Sequence, residues 1–179
     1  MNYTMHMHSP VGLLLLASEG EALTGLWLEG QKYYAATLSA SRIEQPDLPV
    51  FAETKKWLDA YFAGQNPNPS ALPLAPQGSE FRKAVWHLLC DIPYGSTVTY
   101  GQLAKQIAAQ MDKPTMSGQA VGGAVAHNPI SIIIPCHRVV GGNGSLTGYA
   151  GGLARQIQLL TLEGVDLSAL HTPVKGTAL

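Results

Sequence analysis

The stretch GQNPNPSALPLAPQG, residues 64–78, carries four of the chain's twelve prolines and no charge. Each proline fixes its own φ, lacks an N–H donor and pushes the preceding residue out of the helical region. Such a segment continues neither a helix nor the interior of a sheet, so it is predicted to be an extended, semi-rigid linker. It divides the 179 residues into a first domain at 1–77, a second at 78–170 and a C-terminal tail at 171–179. Charge divides there too. Residues 1–77 hold 4 Lys and Arg against 7 Asp and Glu, a net −3, whereas 78–179 hold 7 against 5, a net +2. The second part permits an anionic partner without demanding one.

Before the linker, SPVGLLLLASEGEALTGLWLEG reads as two apolar strands joined at Ser18-Glu19-Gly20-Glu21, a hairpin. DLPVFAETKKWLDAYFAG places Phe51, Leu58, Tyr61 and Phe62 on one helical face, closed by Gly64. His6 and His8, two potential ligands on a terminal strand, are too few for a metal site and read as surface residues.

After the linker the pattern turns helical. Ser79 is a cap for a helix with Phe81, Val85, Leu88 and Leu89 inward, ending before Pro93. Thr99 and Gln102 form a T-x-x-Q capping box that opens a helix of roughly ten residues at Tyr100. Ser117 caps another, SGQAVGGAVAHNP, ended by Asn128-Pro129. Two short helices in succession fit a helix-turn-helix. A last helix, GLARQIQLLTLEG, has Leu153, Ile157 and Leu160 on one face and stops at Gly164. The Ser117 helix contains Gly118, Gly122 and Gly123, each costing about 1 kcal/mol against Ala in a helix interior. Close helix–helix packing would offset that, and so would a nucleic-acid backbone approaching the same face.

Hydrophobic residues make up 46% and charged residues 13%, the balance of a globular protein with a real core. No run approaches the roughly 20 apolar residues of a membrane span. Val11–Ala17 has no basic residue before it and no small-residue cleavage pattern behind it, so no signal peptide is expected. Two cysteines, Cys90 and Cys136, cannot build a four-thiolate zinc cluster, and they point to a reduced, cytoplasmic compartment.

The chemistry gathers at IIIPCHRVVGG, residues 132–142. Cys90, inside a helix, reads as a small buried hydrophobe. Cys136 follows an apolar strand and precedes His137 and Arg138, and nearby positive charge stabilises a thiolate, the nucleophilic form. In an extended segment neighbours point to opposite faces, so His137 needs a turn or a bridging water to take the proton. Such a base also needs a third group to fix its tautomer. Glu163 is a candidate because the helix macrodipole disfavours an anion in a last turn. Spacing alone favours a solvated Glu163.

IPYGSTVTYGQLA, QAVGGAVAHNP, IIIPCHRVVG and LTGYAGGL followed by LLTLEG, in this order, resemble the O6-alkylguanine-DNA alkyltransferases, or methylated-DNA–protein-cysteine methyltransferases. The resemblance spans nearly all of residues 78–167, and the N-terminal hairpin and helix are similar to the family's first domain. It implies an α+β fold: an RNase-H-like sheet domain, then a mostly helical, winged-helix-like DNA-binding domain with the helix-turn-helix. It implies transfer of an alkyl group from O6 of guanine in double-stranded DNA to the protein's own cysteine. Each molecule then acts once, with no cofactor; the chain itself is expected to be a monomer with no metal and no membrane, and O4 of thymine stays open as a second target. Carried over by position, Cys136 is the acceptor and His137 deprotonates it through a water. Glu163 orients His137, Asn128 braces the turn, and Tyr100 donates to guanine N3. Tyr149 walls the pocket, and the backbone at Cys136, Val139 and Ala150 reads the base edge. Ser117, Gln119, Ala120, Gly123 and Arg138 are the expected DNA contacts. Gln119 stands where the family commonly has an arginine that enters the base stack, and QIAAQMDKPTMSG is longer than usual between the two helices. A Cys-His-Glu hydrolase with turnover is the competing enzyme. A damage binder with tryptophan in place of the cysteine is disfavoured by Cys136 itself.

Overall fold

The computed structural model describes residues 1–172. The chain divides into two compact units, Met1–Gln77 with Pro129–Ile133, and Gly78–Asn128 with the chain from Ile134 onward. The expectation of one break did not include the five residues that the second half lends to the first unit. The tail at 171–179 lies outside the described residues from position 173.

The first unit is built on a four-stranded sheet: β1 (Asn2–Ser9), β2 (Gly12–Ser18), β3 (Leu23–Leu28) and β4 (Arg42–Glu44), in the order β3-β2-β1-β4. β1/β2 and β2/β3 are antiparallel, and β4 runs parallel to β1. The expected hairpin is the β2–β3 pair. Alternation decides which side chains meet on each face. Leu15, Ala17 and Trp27 pack against Ala35 and Leu38, and Leu14, Leu16, Leu26 and Leu28 are fully buried on the opposite face. On β1 the same period buries Met5 and Met7 and exposes His6 and His8. Helix α1 (Pro49–Phe62) packs on β3 through a face that includes Phe51, Leu58 and Tyr61. Phe62 is only half-buried, and Trp57, absent from the expected face, is buried with its indole N–H donating to the Asn68 carbonyl at 2.9 Å. Within this unit the lent segment is held by the Leu26 N–H donating to Pro129 O at 2.8 Å and the Ser131 N–H donating to Leu26 O at 2.9 Å.

The second unit holds α2 (Glu80–Leu89), α3 (Tyr100–Gln110), α4 (Gly118–Ala126) and α5 (Leu153–Leu162), with a two-stranded parallel pair, β5 (Val98–Thr99) and β6 (Val139–Val140). Local chemistry starts each of the first three helices where expected. Ser79 and Ser117 accept from the N–H groups of Arg82 and Ala120, and the Thr99–Gln102 capping box is complete. In α5, Leu160 is fully buried, with Leu153 and Ile157 packed in the same cluster as Val140 and Leu146. That helix ends in a Schellman arrangement. Gly164, at φ +77°, and Val165 donate backward to Thr161 O and Leu160 O, both at 3.0 Å, which leaves Glu163 as the C-cap just past the helix.

Trp86 fixes the position of α4. The carbonyl of Ala124 lies among the last four of its helix and has no intrahelical donor. The buried indole N–H of Trp86 supplies one at 2.7 Å. Trp86→Phe keeps most of the apolar area and strands this carbonyl, so a loss of about 1–3 kcal/mol is expected, measurable as a lower urea midpoint with an unchanged slope.

Candidate active site

The isoleucine run before Cys136 is not a strand. Ile130 forms a single bridge with Leu26, Ile132 takes φ +71°, and Cys136–Arg138 is one turn of 3-10 helix. Pro129 and Pro135 bracket the run and remove two ladder donors, which explains why an apolar, β-branched segment does not pair. The turn closes through the Arg138 N–H to Pro135 O at 3.1 Å and the Cys136 N–H to Ile134 O at 2.8 Å. Buried Asn128 braces it by donating Nδ2–H to the Ile134 carbonyl at 2.8 Å.

The side chains of this turn meet the end of α5. His137 is fully buried, and its Nε2 lies 2.6 Å from Oε2 of Glu163, itself only 5% exposed. Arg138 donates Nε–H to Oε1 of the same carboxylate at 2.7 Å and an Nη2–H to Oε2 at 3.1 Å, while Nη1 donates to the Ile92 carbonyl at 2.7 Å. Burial alone would raise the carboxyl. The hydrogen bonds and charges of His137 and Arg138 outweigh it and hold Glu163 down to about 2. An ionised carboxylate only accepts, so Nε2 of His137 carries the hydrogen. Nδ1 then bears the lone pair, and no described residue bonds to it. Burial also pushes the imidazole below its ordinary range, against the pull of Glu163. The histidine is a neutral base aimed by one nitrogen.

Two expectations are corrected here. Arg138, expected at the DNA, is buried and spent on Glu163 and Ile92, so it positions the carboxylate instead. Cys136 does not rest as a thiolate. Burial pushes its thiol up to about 11, only partly offset by hydrogen bonds from the Asn128 side chain and the backbone of Cys136 and His137. Neighbouring cations in sequence are not neighbouring cations at sulfur.

Around the thiol, Tyr149 and Ala150 are buried, and Val139 is wholly enclosed on β6. The Tyr149 ring meets the His137 ring edge-on at 6.4 Å. Tyr100 opens α3 and donates its hydroxyl to Thr147 O at 3.1 Å; burial, then proximity to Cys136, raise its pKa, so it stays a donor. Gly148 permits this approach. It sits at φ +78°, and a Cβ there would lie 2.8 Å from the Tyr100 hydroxyl. Nothing in the sequence singled out Gln156. It is buried on α5, seven residues before Glu163, and its Nε2 donates to the carbonyls of His137 and Val139 at 3.0 and 3.2 Å. Residues seven apart share a helix face, so one side of α5 holds the turn by its backbone at one point and by its side chains at another.

On α4, Ser117, Gln119 and Ala120 are exposed, and Gly123 is half-buried. A Cβ built on Gly118, Gly122 or Gly123 would meet nothing within 4 Å. Packing within the chain therefore does not require these glycines, and the packing explanation for them falls. Among the described residues no three His, Cys, Asp or Glu side chains gather to hold a metal ion, and no helix is long and apolar enough to cross a membrane.

Two family models match the chain. The DNA binding domain of 6-O-methylguanine DNA methyltransferase matches residues 80–165, and the ribonuclease-like domain of the same family matches residues 2–76. The methylated-DNA--protein-cysteine methyltransferase of Mycobacterium leprae is 44% identical over 91% of this chain and 93% of its own length. That of Methanosarcina acetivorans is 46% identical over 90% and 98%. Among solved structures, Mycobacterium tuberculosis OGT in complex with DNA aligns with a TM-score of 0.77 at 39% identity, covering 94% of each chain.

The buried titratable groups set a pH window for stability. Below 6.5 the unfolded chain protonates His137 before the folded one does, and the ionised Glu163 adds a loss that runs from 4.5 down to about 2. Above 9.0 the unfolded chain gives up the Cys136 and Cys90 protons that the folded chain keeps until about 11. Stability is expected to be flat between about pH 6.5 and 9 and to fall on both sides. Urea midpoints across pH check this, with Cys136→Ala expected to lessen the alkaline loss and Cys90, Tyr100 and Tyr149 to share what remains.

Proposed function

This chain belongs to the 6-O-methylguanine DNA methyltransferase family, and on that footing we propose that Cys136 is its alkyl acceptor, fired by His137 and Glu163. The reaction class is DNA repair by transfer of an alkyl group from O6 of guanine to a cysteine of the protein. The observation that carries the assignment is the buried 2.6 Å bond between His137 and Glu163, which leaves Nδ1 as the nitrogen able to accept a proton.

An O6-alkyl group inside a duplex is out of reach of an in-line thiol, so the nucleotide is flipped into the pocket walled by Tyr149. The Cys136 proton passes to His137 Nδ1 across one water, and the imidazolium formed is stabilised by Glu163. The S–C bond forms as the O6–C bond breaks, and the electron pair of the broken bond stays with the guanine. Tyr100 turns its hydroxyl from Thr147 to guanine N3 and stabilises the leaving anion at the moment charge develops. The backbone at Cys136, Val139 and Ala150 reads the base edge. Asn128, Arg138 and Gln156 position the turn. The thioether is stable, so the protein is consumed.

The open glycine face of α4 supports its placement in the minor groove, with Ser117, Ala120 and Gly123 against the backbone and Gln119 filling the vacated stack. Glutamine fills space and hydrogen-bonds the orphan base without charge. We place the chain in the cytoplasm, where its two free cysteines stay reduced.

Intact-mass spectrometry after mixing with O6-methylguanine duplex is expected to show one added methyl per chain, mapped to Cys136, with no further product once the protein is used up. Repeated turnover, or label on Cys90, contradicts the assignment.

A further inference from the structure

Between α3 and the segment that leads into α4 lies a cleft of about 540 Å³. Its floor is apolar, with Ala104, Ala108 and Met116, and its lining includes two cations, Lys105 and Lys113. One wall is made by Lys113, Pro114, Thr115 and Met116, none of which is among the residues assigned to alkyl transfer. Neither ammonium group has a hydrogen-bond or ion-pair partner among the described residues, and neighbouring Asp112 pairs with neither. Elsewhere in this unit, Arg138 is paired with Glu163, and Lys83 with Glu80 at 3.7 Å.

We propose that this cleft is a second DNA contact, in which Lys105 and Lys113 hold the phosphodiester backbone of the duplex beside the strand that α4 opens. The proposal rests on the reading of α4 as the duplex-facing helix. Two observations favour a phosphate backbone as the occupant. The charge is complementary, since two unpaired ammonium groups at one cleft, with no acid paired to them, suit a polyanion. The cleft is also continuous with the α4 face through Gly118, which lines it and belongs to the open glycine row of that helix. A strand leaving α4 therefore passes the cleft without turning away. Base edges need directional donors and acceptors, and two flexible ammonium groups on an apolar floor offer none in fixed geometry. The contact is thus to backbone, independent of sequence. It also supplies charge that Gln119 does not bring.

The test is the salt dependence of binding to an undamaged duplex and to the same duplex carrying one O6-methylguanine. Each phosphate neutralised contributes a slope of about −0.9 in log K against log salt. Lys105→Gln/Lys113→Gln is expected to make the slope shallower by about two units on both duplexes and to weaken binding equally on each. Lys55→Gln/Lys56→Gln on α1 removes the same charge from the other unit and is expected to leave the slope near that of the wild type. A thermal midpoint for each variant checks folding. A cleft variant whose slope and affinity match the α1 variant overturns the second contact while leaving the alkyl-transfer reading intact. A wild-type chain that does not bind the duplex overturns both.

Discussion

A single carboxylate, shielded from water, sets most of what this active site does. Left alone, an ionised Glu163 inside the protein would be very costly. Its partners, the imidazole of His137 and the guanidinium of Arg138, make the charge tolerable, and removing either partner from such a set typically costs about 3–5 kcal/mol. The same contacts fix the chemistry. They force the hydrogen onto Nε2 of His137, leave Nδ1 as the acceptor, and hold Arg138 in the interior. The Schellman end of α5 holds Glu163 as the C-cap, and Gln156 ties the same helix to the backbone of the Cys136 turn. The result is a neutral imidazole and, in the same turn, a thiol that burial keeps protonated. A protein consumed by its own reaction benefits from that restraint, because a standing thiolate would be lost to any passing electrophile.

Features governed by neighbours in sequence were legible. The β2–β3 hairpin, the caps at Ser79 and Ser117, the Thr99–Gln102 box and the stop at Gly164 each depend on residues within a few positions, and each stands in the structure as read. Features that depend on distant partners were not. Parallel pairing of β4 with β1 has no local signature, and the burial of Trp57 and Trp86 is decided by carbonyls 11 and 38 residues away. The isoleucine run carried a strand's composition, but the prolines at 129 and 135 removed its donors. Arg138 read as a free cation because nothing in the sequence says that Glu163, 25 residues on, has come to meet it. Gln156 was silent for the same reason: its only signal is two carbonyls that the fold brings to it.

The DNA-binding half carries a net charge of only +2, and that bears on how it would hold a polyanion. Its helix α4 offers glycines and short side chains, which allow close approach and add little attraction. Affinity then has to come from few cations, placed where the backbone passes. On the proposed reading, Gln119 fills space at the flipped base, and Lys113 on the α3–α4 segment brings charge beside it.

The single-turnover rate of Glu163→Gln is the most direct measure of whether the buried carboxylate governs the nucleophile. Neutralising it removes the anion that stabilises the imidazolium and frees the tautomer of His137. Transfer from O6-methylguanine duplex is expected to slow by about 10²-fold or more, on the scale seen when orienting carboxylates of triads are neutralised, while duplex affinity stays near that of the wild type. A variant that transfers at the wild-type rate would contradict the account and leave Glu163 as a structural ion-pair partner of Arg138 alone.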